Sequence, residues 1–316
     1  MENLYQKAGV NLFEAQKLNE KLNKTHQLNA FAGITNSPLL DGYSIVTCCD
    51  GIGSKIIPLY ERNLFKTIAT DVVAANLNDL VCSGATAAGF VDYIAVNKLD
   101  SDKISQIVEG IEAELSECNC KLLGGETSEI SELITENNID ISGFAVGIAK
   151  SGEELDKKNV AKNDIVIGLC SSGIHANGFS LIRKLYKENQ LTAEEFELCL
   201  APTHIYYNCV LELAKLKLIK SCANITGGGI FSNLIRSIPE NMTAELGFEK
   251  IPESKKFGPI FKKLKTICGE EFYEVFNAGV GFCLISDETN KEKVFEICAE
   301  FSPFILGKIT EKDNIC

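Results

Sequence analysis

Apolar positions recur along the chain in two periods, and the alternation between them predicts the elements. The run "YSIVTCCD" (43–50) is β-branched and short, a strand that delivers Asp50 at its end. "DVVAANLNDLVCSGA" (71–85) has helical spacing, with Asp71 expected at the N-cap and Gly84 near the stop. "AAGFVDYIAVN" (87–97) reads as a strand and "SDKISQIVEGIEAELSEC" (101–118) as an amphipathic helix with a serine cap. "CKLLGGET" (120–127) reads as a buried strand ending in a Gly-Gly turn, and "IDISGFAVGIAK" (139–150) as another strand.

The stretch "SGEELDKKNVAKND" (151–164) is polar and charged, and it is the best boundary in the chain. Beyond it, "DIVIGLCSSG" is a strand running into a glycine turn, followed by a helix over 178–189. "PTHIYYNCVLELAKLKL" (202–218) predicts a long helix with Pro202 at its start. "NITGGGIFSNLIRSIP" is strand, glycine turn and short helix. Two helix–strand pairs follow, with strands over 280–286 and 303–310. The expected fold is α/β (α+β): two α/β domains, residues 1–150 and 151–316, with no exact internal repeat.

Composition narrows the function. The chain has 316 residues and a net charge of −12, which disfavours diffuse binding to nucleic acid or anionic lipid. No run approaches the length of a membrane span and no leader-like pattern opens the chain, so a cytoplasmic protein is expected. Thirteen cysteines, mostly in apolar runs and without a CxxC, look like buried thiols of a reducing compartment rather than a zinc site.

The stretch "CCDGIGSK" (48–55) has the ingredients of a phosphate loop in an order that fits neither the P-loop nor the dinucleotide fingerprint. Its Asp50 is one of three carboxylates placed at the ends of apolar elements. Asp79 lies in "NLNDLV" and Glu126 follows Gly124-Gly125. Three such groups would repel one another unless a divalent cation joined them. Mg²⁺ prefers carboxylate oxygens and bridges to nucleotide phosphates. Asp50, Asp79 and Glu126 are therefore the expected metal ligands, and Lys55 the group that neutralises a phosphate. Two further glycine turns, "SSGIHANG" (171–178) and "TGGG" (226–229), each lead into a helix and suit an anion. His175, inside the first, is a candidate for substrate contact or proton transfer. His204 reads as structural.

Together these stretches resemble the phosphoribosylformylglycinamidine cyclo-ligase (aminoimidazole ribonucleotide synthetase) family. The similar segments run in order from end to end: "YQKAGV" (5–10), "DGIGSK" (50–55), "DVVAANLNDLVCSGA" (71–85), "DYIAVNKLD" (92–100), "LLGGET" (122–127), "GFAVGIAK" (143–150), "SSGIHANGFSLIRK" (171–184), "APTHIY" (201–206), "ITGGG" (225–229) and "FNAGVG" (276–281). The resemblance implies ATP-dependent closure of an imidazole ring on a ribonucleotide substrate. Asp50, Asp79 and Glu126 would hold Mg²⁺–ATP, while Lys55, Asp71 and Asn76 would line the nucleotide site. His175, Asp79 and Lys55 would be catalytic, and Ser172, His175, Asn177, Gly227, Gly228 and Gly229 would face the substrate. It also implies a homodimer, with the N-terminal mixed sheet contributing to a β-barrel shared between two copies, and a C-terminal α/β sandwich.

The sequence departs from the family pattern in places. Asn224 stands two residues ahead of Thr226, where the family often carries histidine, and Asn cannot act as a base. The glycine-dense segment before the first strand is reduced to "LNAFAGI" (28–34). The loop after Glu126 is short and lacks its usual proline. Related activities fit less well. The first 47 residues hold no cysteine for selenophosphate synthesis. "APTHIY" and "SSGIHANG" argue against thiamine-monophosphate kinase. Cys316 lacks the lead-in of a hydrogenase maturation protein. A non-catalytic nucleotide-binding relative is the alternative of a different class.

Overall fold

A computed structural model describes residues 17, 31–36, 40–136 and 138–312. The "YQKAGV" stretch, His26, the first three residues of "LNAFAGI" and Cys316 lie outside the described residues. The first half builds a five-stranded sheet from β1 (Gly33–Asn36), β2 (Tyr43–Gly51), β3 (Thr86–Val96), β4 (Leu122–Glu129) and β5 (Ile139–Lys150). Its order is β1-β2-β5-β3-β4, and only β3 and β4 run parallel. A parallel neighbour needs a crossover, and helix α3 (Ser101–Glu117) supplies it. Between β2 and β3 lie two helices, the short α1 (Ile56–Glu61) and the 17-residue α2 (Phe65–Val81).

β5 alternates strictly between buried and exposed positions. Ile139, Ile141, Ala145 and Ala149 face the core, and α2 packs against this side of β2 and β5. Gly143 lets the helix approach, because a Cβ there would lie 2.5 Å from the Asn76 amide and 2.2 Å from the Phe90 ring. The opposite face is bare. Phe144 and Val146 are 40% and 41% exposed, with Val91 and Tyr43 beside them.

The second half forms an all-antiparallel sheet of β6 (Ile165–Cys170), β7 (Ser221–Asn224), β8 (Met242–Leu246), β9 (Val280–Ser286) and β10 (Phe304–Glu311), in the order β7-β9-β6-β10-β8. Every residue of β9 is buried, which is why its sequence is a continuous apolar run. Around the sheet lie α4 (Phe179–Lys187), α5 (Ala193–Cys199), α6 (Tyr207–Lys215), α7 (Gly229–Leu234), α8 (Gly258–Cys268), α9 (Phe272–Val275) and α10 (Lys291–Ile297).

Four elements differ from the sequence expectation. Helix α2 begins at Phe65, so Asp71 sits in mid-helix and is buried instead of capping. Asp100, not Ser101, caps α3 by accepting from the Lys103 N–H. β4 is an exposed edge strand, not a buried one, and its glycines lie within the strand. A Cβ at Gly125 would meet the Asp92 carboxylate at 2.3 Å. Helix α6 starts at Tyr207, five residues after Pro202, because the intervening segment bonds to α2 instead of to itself. Strands β1 and β8 and helix α5 had no expectation. Helix α5 carries a capping box of Thr192 and Glu195.

That intervening segment joins the halves. Lys55, fully buried, pairs with Asp71 at 2.7 Å and donates to the Ala201 carbonyl at 2.6 Å. The other Asp71 oxygen accepts the Thr203 N–H at 2.7 Å. Asn78 accepts from the Tyr206 N–H and donates to the His204 carbonyl. Removing one member of a buried ion pair strands the other charge at a cost of about 3–5 kcal/mol. Lys55→Met is therefore expected to lower the unfolding free energy from urea titrations by an amount of that order, and Lys55→Met with Asp71→Leu to recover part of the loss.

Candidate active site

Asp50 ends β2, and its backbone is fixed from the helix. Asn76, with no exposed surface, accepts from the Asp50 N–H and donates to the Asp50 carbonyl, both at 3.0 Å. A further bond ties the Asn76 amide to the Val72 carbonyl. One Asp50 oxygen accepts the Gly51 N–H at 2.8 Å. Three residues beyond Asn76 on α2, Asp79 shares its helix face and comes to the same place. Its Oδ1 accepts the Asn224 amide at 2.8 Å, reaching across from the end of β7. Both carboxylates come from the first half, and the second half supplies the amide that holds Asp79.

Their charges are strained. Burial raises the Asp50 carboxyl above its ordinary range, against the pull of the Gly51 N–H. Asp79 is raised to about 7. Burial is the main cause and the charge of Asp50 adds to it, while the Asn224 amide and the Arg236 guanidinium pull the other way.

Glu126 does not join this pair. Across the sheet, Asp50, Gly143, Asp92 and Gly125 share one row, and Glu126 pairs with Tyr93 one residue on. A one-residue step points a side chain to the other face. Glu126 therefore lies on the bare face, where its neighbour is Ser128, and three strand spacings, about 14 Å, separate its row from β2. No cluster of three or more metal-ligating side chains forms among the described residues. The expectation of three converging carboxylates is corrected to two.

Lys55 and Asp71 also fall elsewhere. Both are spent on each other inside the protein and line no surface, and Asn76 is spent on the backbone of Asp50. In the second half, His175 is 2% exposed with φ 59°. Its Nε2 accepts the Ser172 N–H at 3.2 Å, and a Cβ at Gly281 would touch its ring. Burial, then His204, then Lys55 hold it well below the usual histidine range, so it is a neutral imidazole inside its own loop. Asn177 donates to the Ile225 carbonyl at 3.3 Å and reaches the start of the TGGG turn. Ser172 is bonded to the Pro202 carbonyl and lines a cavity of about 720 Å³ walled by Phe257, Phe261, Phe272 and Phe301. His204 lines the same cavity, half-buried.

The TGGG turn closes the site beside Asn224. Gly228 and Gly229 have φ 91° and 68°, and a Cβ on Gly229 would fall 1.9 Å from the Tyr273 carbonyl, so glycine is obligatory there. Gly227 is exposed, with open space where its Cβ would be. Asn233 threads the turn, its Nδ2 donating to the carbonyls of Thr226, Gly227 and Gly229. Sequence reasoning missed both Asn233 and Arg236, which bonds to it. The available signal was scarcity: Arg236 is one of three arginines in the chain, with Arg62 and Arg183.

Two α/β halves, with a carboxylate pair of the first bonded to Asn224 just ahead of a glycine turn of the second, define a class. Residues 33–149 match the AIR synthase related protein, N-terminal domain, and 161–315 match the corresponding C-terminal domain. The fold is shared with the structure described as AaThiL complexed with AMPPCP and TMP, at a TM-score of 0.68 and 15% identity, over 93% of this chain and 90% of that one. The chain is 36% identical to a phosphoribosylformylglycinamidine cyclo-ligase of Prochlorococcus marinus (strain MIT 9215), over 91% of this chain and 86% of that protein. It is 35% identical to the enzyme of the same name from Ligilactobacillus salivarius (strain UCC118), over 98% and 96%. The chain belongs to the phosphoribosylformylglycinamidine cyclo-ligase family.

The raised Asp79 carboxyl makes a stability prediction. A group that holds its proton more tightly folded than unfolded costs stability once pH rises above its unfolded value, near 4, and the whole cost is present above about 7. Without added metal, Asp79→Asn is expected to raise the melting temperature at pH 8 and to leave it nearly unchanged at pH 4. Thermal scans at the two pH values check it.

Proposed function

We propose that the protein closes the imidazole ring of aminoimidazole ribonucleotide from formylglycinamidine ribonucleotide, consuming ATP and releasing ADP and phosphate. The observation that carries this reading is the Asp50–Asp79 pair facing the TGGG turn, in a chain of this family. ATP transfers its terminal phosphoryl group to the formyl oxygen. An amidine nitrogen then bonds to the activated carbon, the C–O bond breaks, and phosphate leaves with the oxygen. In such a reaction, placement and charge stabilisation of the moving phosphoryl group dominate.

The donor set suits Mg²⁺. Two mutually repelling carboxylates, each with one oxygen outside the bonds that hold it, offer the hard anionic ligands that Mg²⁺ takes alongside water and phosphate. Bound there, the ion would neutralise nucleotide phosphate charge. The chain's own residues do the rest. Asn76 fixes where Asp50 stands, and Asn224 fixes the rotamer of Asp79. Asn224 does so as a donor, a role that a histidine at the same place would share. Asn177 and the turn of Gly227, Gly228 and Gly229 face the ribonucleotide, and His175 and Ser172 hold the shape of the loop behind them. ATP binding by the first half and substrate binding by the second, divided near residue 150, accords with these placements.

The bare face of the first sheet supports a homodimer. Tyr43, Val91, Phe144 and Val146 form a contiguous apolar patch on paired strands, the kind of surface that marks an interface. Glu126 lies on this face, so its approach to a nucleotide would depend on the dimer. All twelve described cysteines are free thiols, which fits a cytoplasmic location. Among the described residues no helix is long and apolar enough to cross a membrane.

Purified protein with Mg–ATP and formylglycinamidine ribonucleotide is expected to yield the aminoimidazole, followed by diazo coupling, in step with ADP. Folded protein that forms neither would overturn the reading. Phe144→Glu with Val146→Glu is expected to shift sedimentation to the monomer. An unchanged dimer would move the interface elsewhere.

A further inference from the structure

Among the described residues, the cyclo-ligase reading loses the cation it expected to meet a phosphate. Lys55 was the expected one, and it is enclosed between Asp71 and the Ala201 carbonyl. We infer that Arg236 takes that role, receiving a substrate phosphoryl group beside the TGGG turn; this rests on the reading above.

Four observations place it. Arg236 is exposed, and its guanidinium lies on the face of Phe31, with Cζ 4.1 Å from the ring centroid. A ring under a guanidinium fixes its plane and leaves the edges free for an anion. Its Nη1 donates to Asn233 Oδ1 at 3.2 Å, and the same Asn233 holds three carbonyls of the glycine turn. The turn and the guanidinium are thus set by one side chain. Arg236 forms no ion pair with a described carboxylate, although the chain carries a net −12. Asp79 acts on it only at longer range. A braced arginine with donors unpaired among the described residues, joined to the glycine turn through Asn233 and within the field of Asp79, offers the fork that pairs bidentately with phosphate.

A surface arginine resting on an aromatic ring would look similar and do nothing, so the test must separate the two. Arg236→Met and Arg236→Lys are compared with the wild type by calorimetry, using formylglycinamidine ribonucleotide, its dephosphorylated nucleoside and Mg–AMPPCP, and by steady-state kinetics. Thermal melts establish that each variant is folded. Loss of a charged hydrogen-bond partner corresponds to about 10- to 100-fold. A loss of that size in Arg236→Met for the ribonucleotide, absent for the nucleoside, assigns the guanidinium to the ribose phosphate. A loss for Mg–AMPPCP, or a fall in kcat at unchanged ribonucleotide affinity, assigns it to the transferring phosphoryl group. Arg236→Lys should keep only part of the affinity, because it keeps charge without the fork. A folded Arg236→Met with unchanged binding and kinetics overturns the inference. Wild-type turnover is scored separately: its absence removes the cyclo-ligase reading, while the binding comparison still decides Arg236. A wild type that binds none of the three ligands overturns both.

Discussion

A lysine and an aspartate without access to water hold the architecture. Lys55 and Asp71 neutralise each other in the interior, and the bonds left over on each reach the segment 201–203. Such a pair is weak evidence for stability in itself, since desolvation offsets most of the attraction. Its leverage is geometric. It can exist only when α2, the turn after β2 and the segment before α6 sit in one arrangement. Asn78 repeats the device about two turns further along the helix, so α2 serves as the common backbone of both halves.

The site follows from that arrangement. With α2 fixed, Asn76 holds Asp50 and Asp79 meets Asn224 from the other sheet. The cost is two carboxylates kept close together and partly dry, which no packing requirement demands. Groups held against their own solvation are a mark of functional sites. The contrast with Lys55–Asp71 is instructive. There the opposite charges complete each other, while here two like charges lie together and neither completes the other.

Much of the fold was legible because its pattern was local. β5 alternates strictly and β9 is uniformly apolar, and both run where the period placed them. The starts of α2 and α6 were not legible. Asp71 and Pro202 carry strong boundary signals, but tertiary bonds claimed Asp71 and kept 202–206 out of the helix. For the site, the motif spacing brought out Asp50, Asp79 and the TGGG turn. The face of Glu126 depends on strand register, which a one-residue step inverts and no composition reveals. Nor could the chain disclose that Lys55 is enclosed, because its partners lie 16 and 146 residues away. Arg236 was hidden for the opposite reason: a single exposed arginine carries no pattern.

The bonds of Asn78 bear on how the chain acquires its structure during synthesis. Its partners, the Tyr206 N–H and the His204 carbonyl, lie about 125 residues downstream of the end of α2. At roughly 5–20 residues per second, a ribosome needs about 6–25 s to make that interval. During it the first sheet can pair, but α2 carries an amide, Asn78, and a carboxylate, Asp71, whose partners in 203–206 do not yet exist. The N-terminal half therefore waits in an unfinished state with its polar stripe toward water. A pause in translation before residue 206 would prolong the period in which the apolar face and the stripe are both accessible to chaperones.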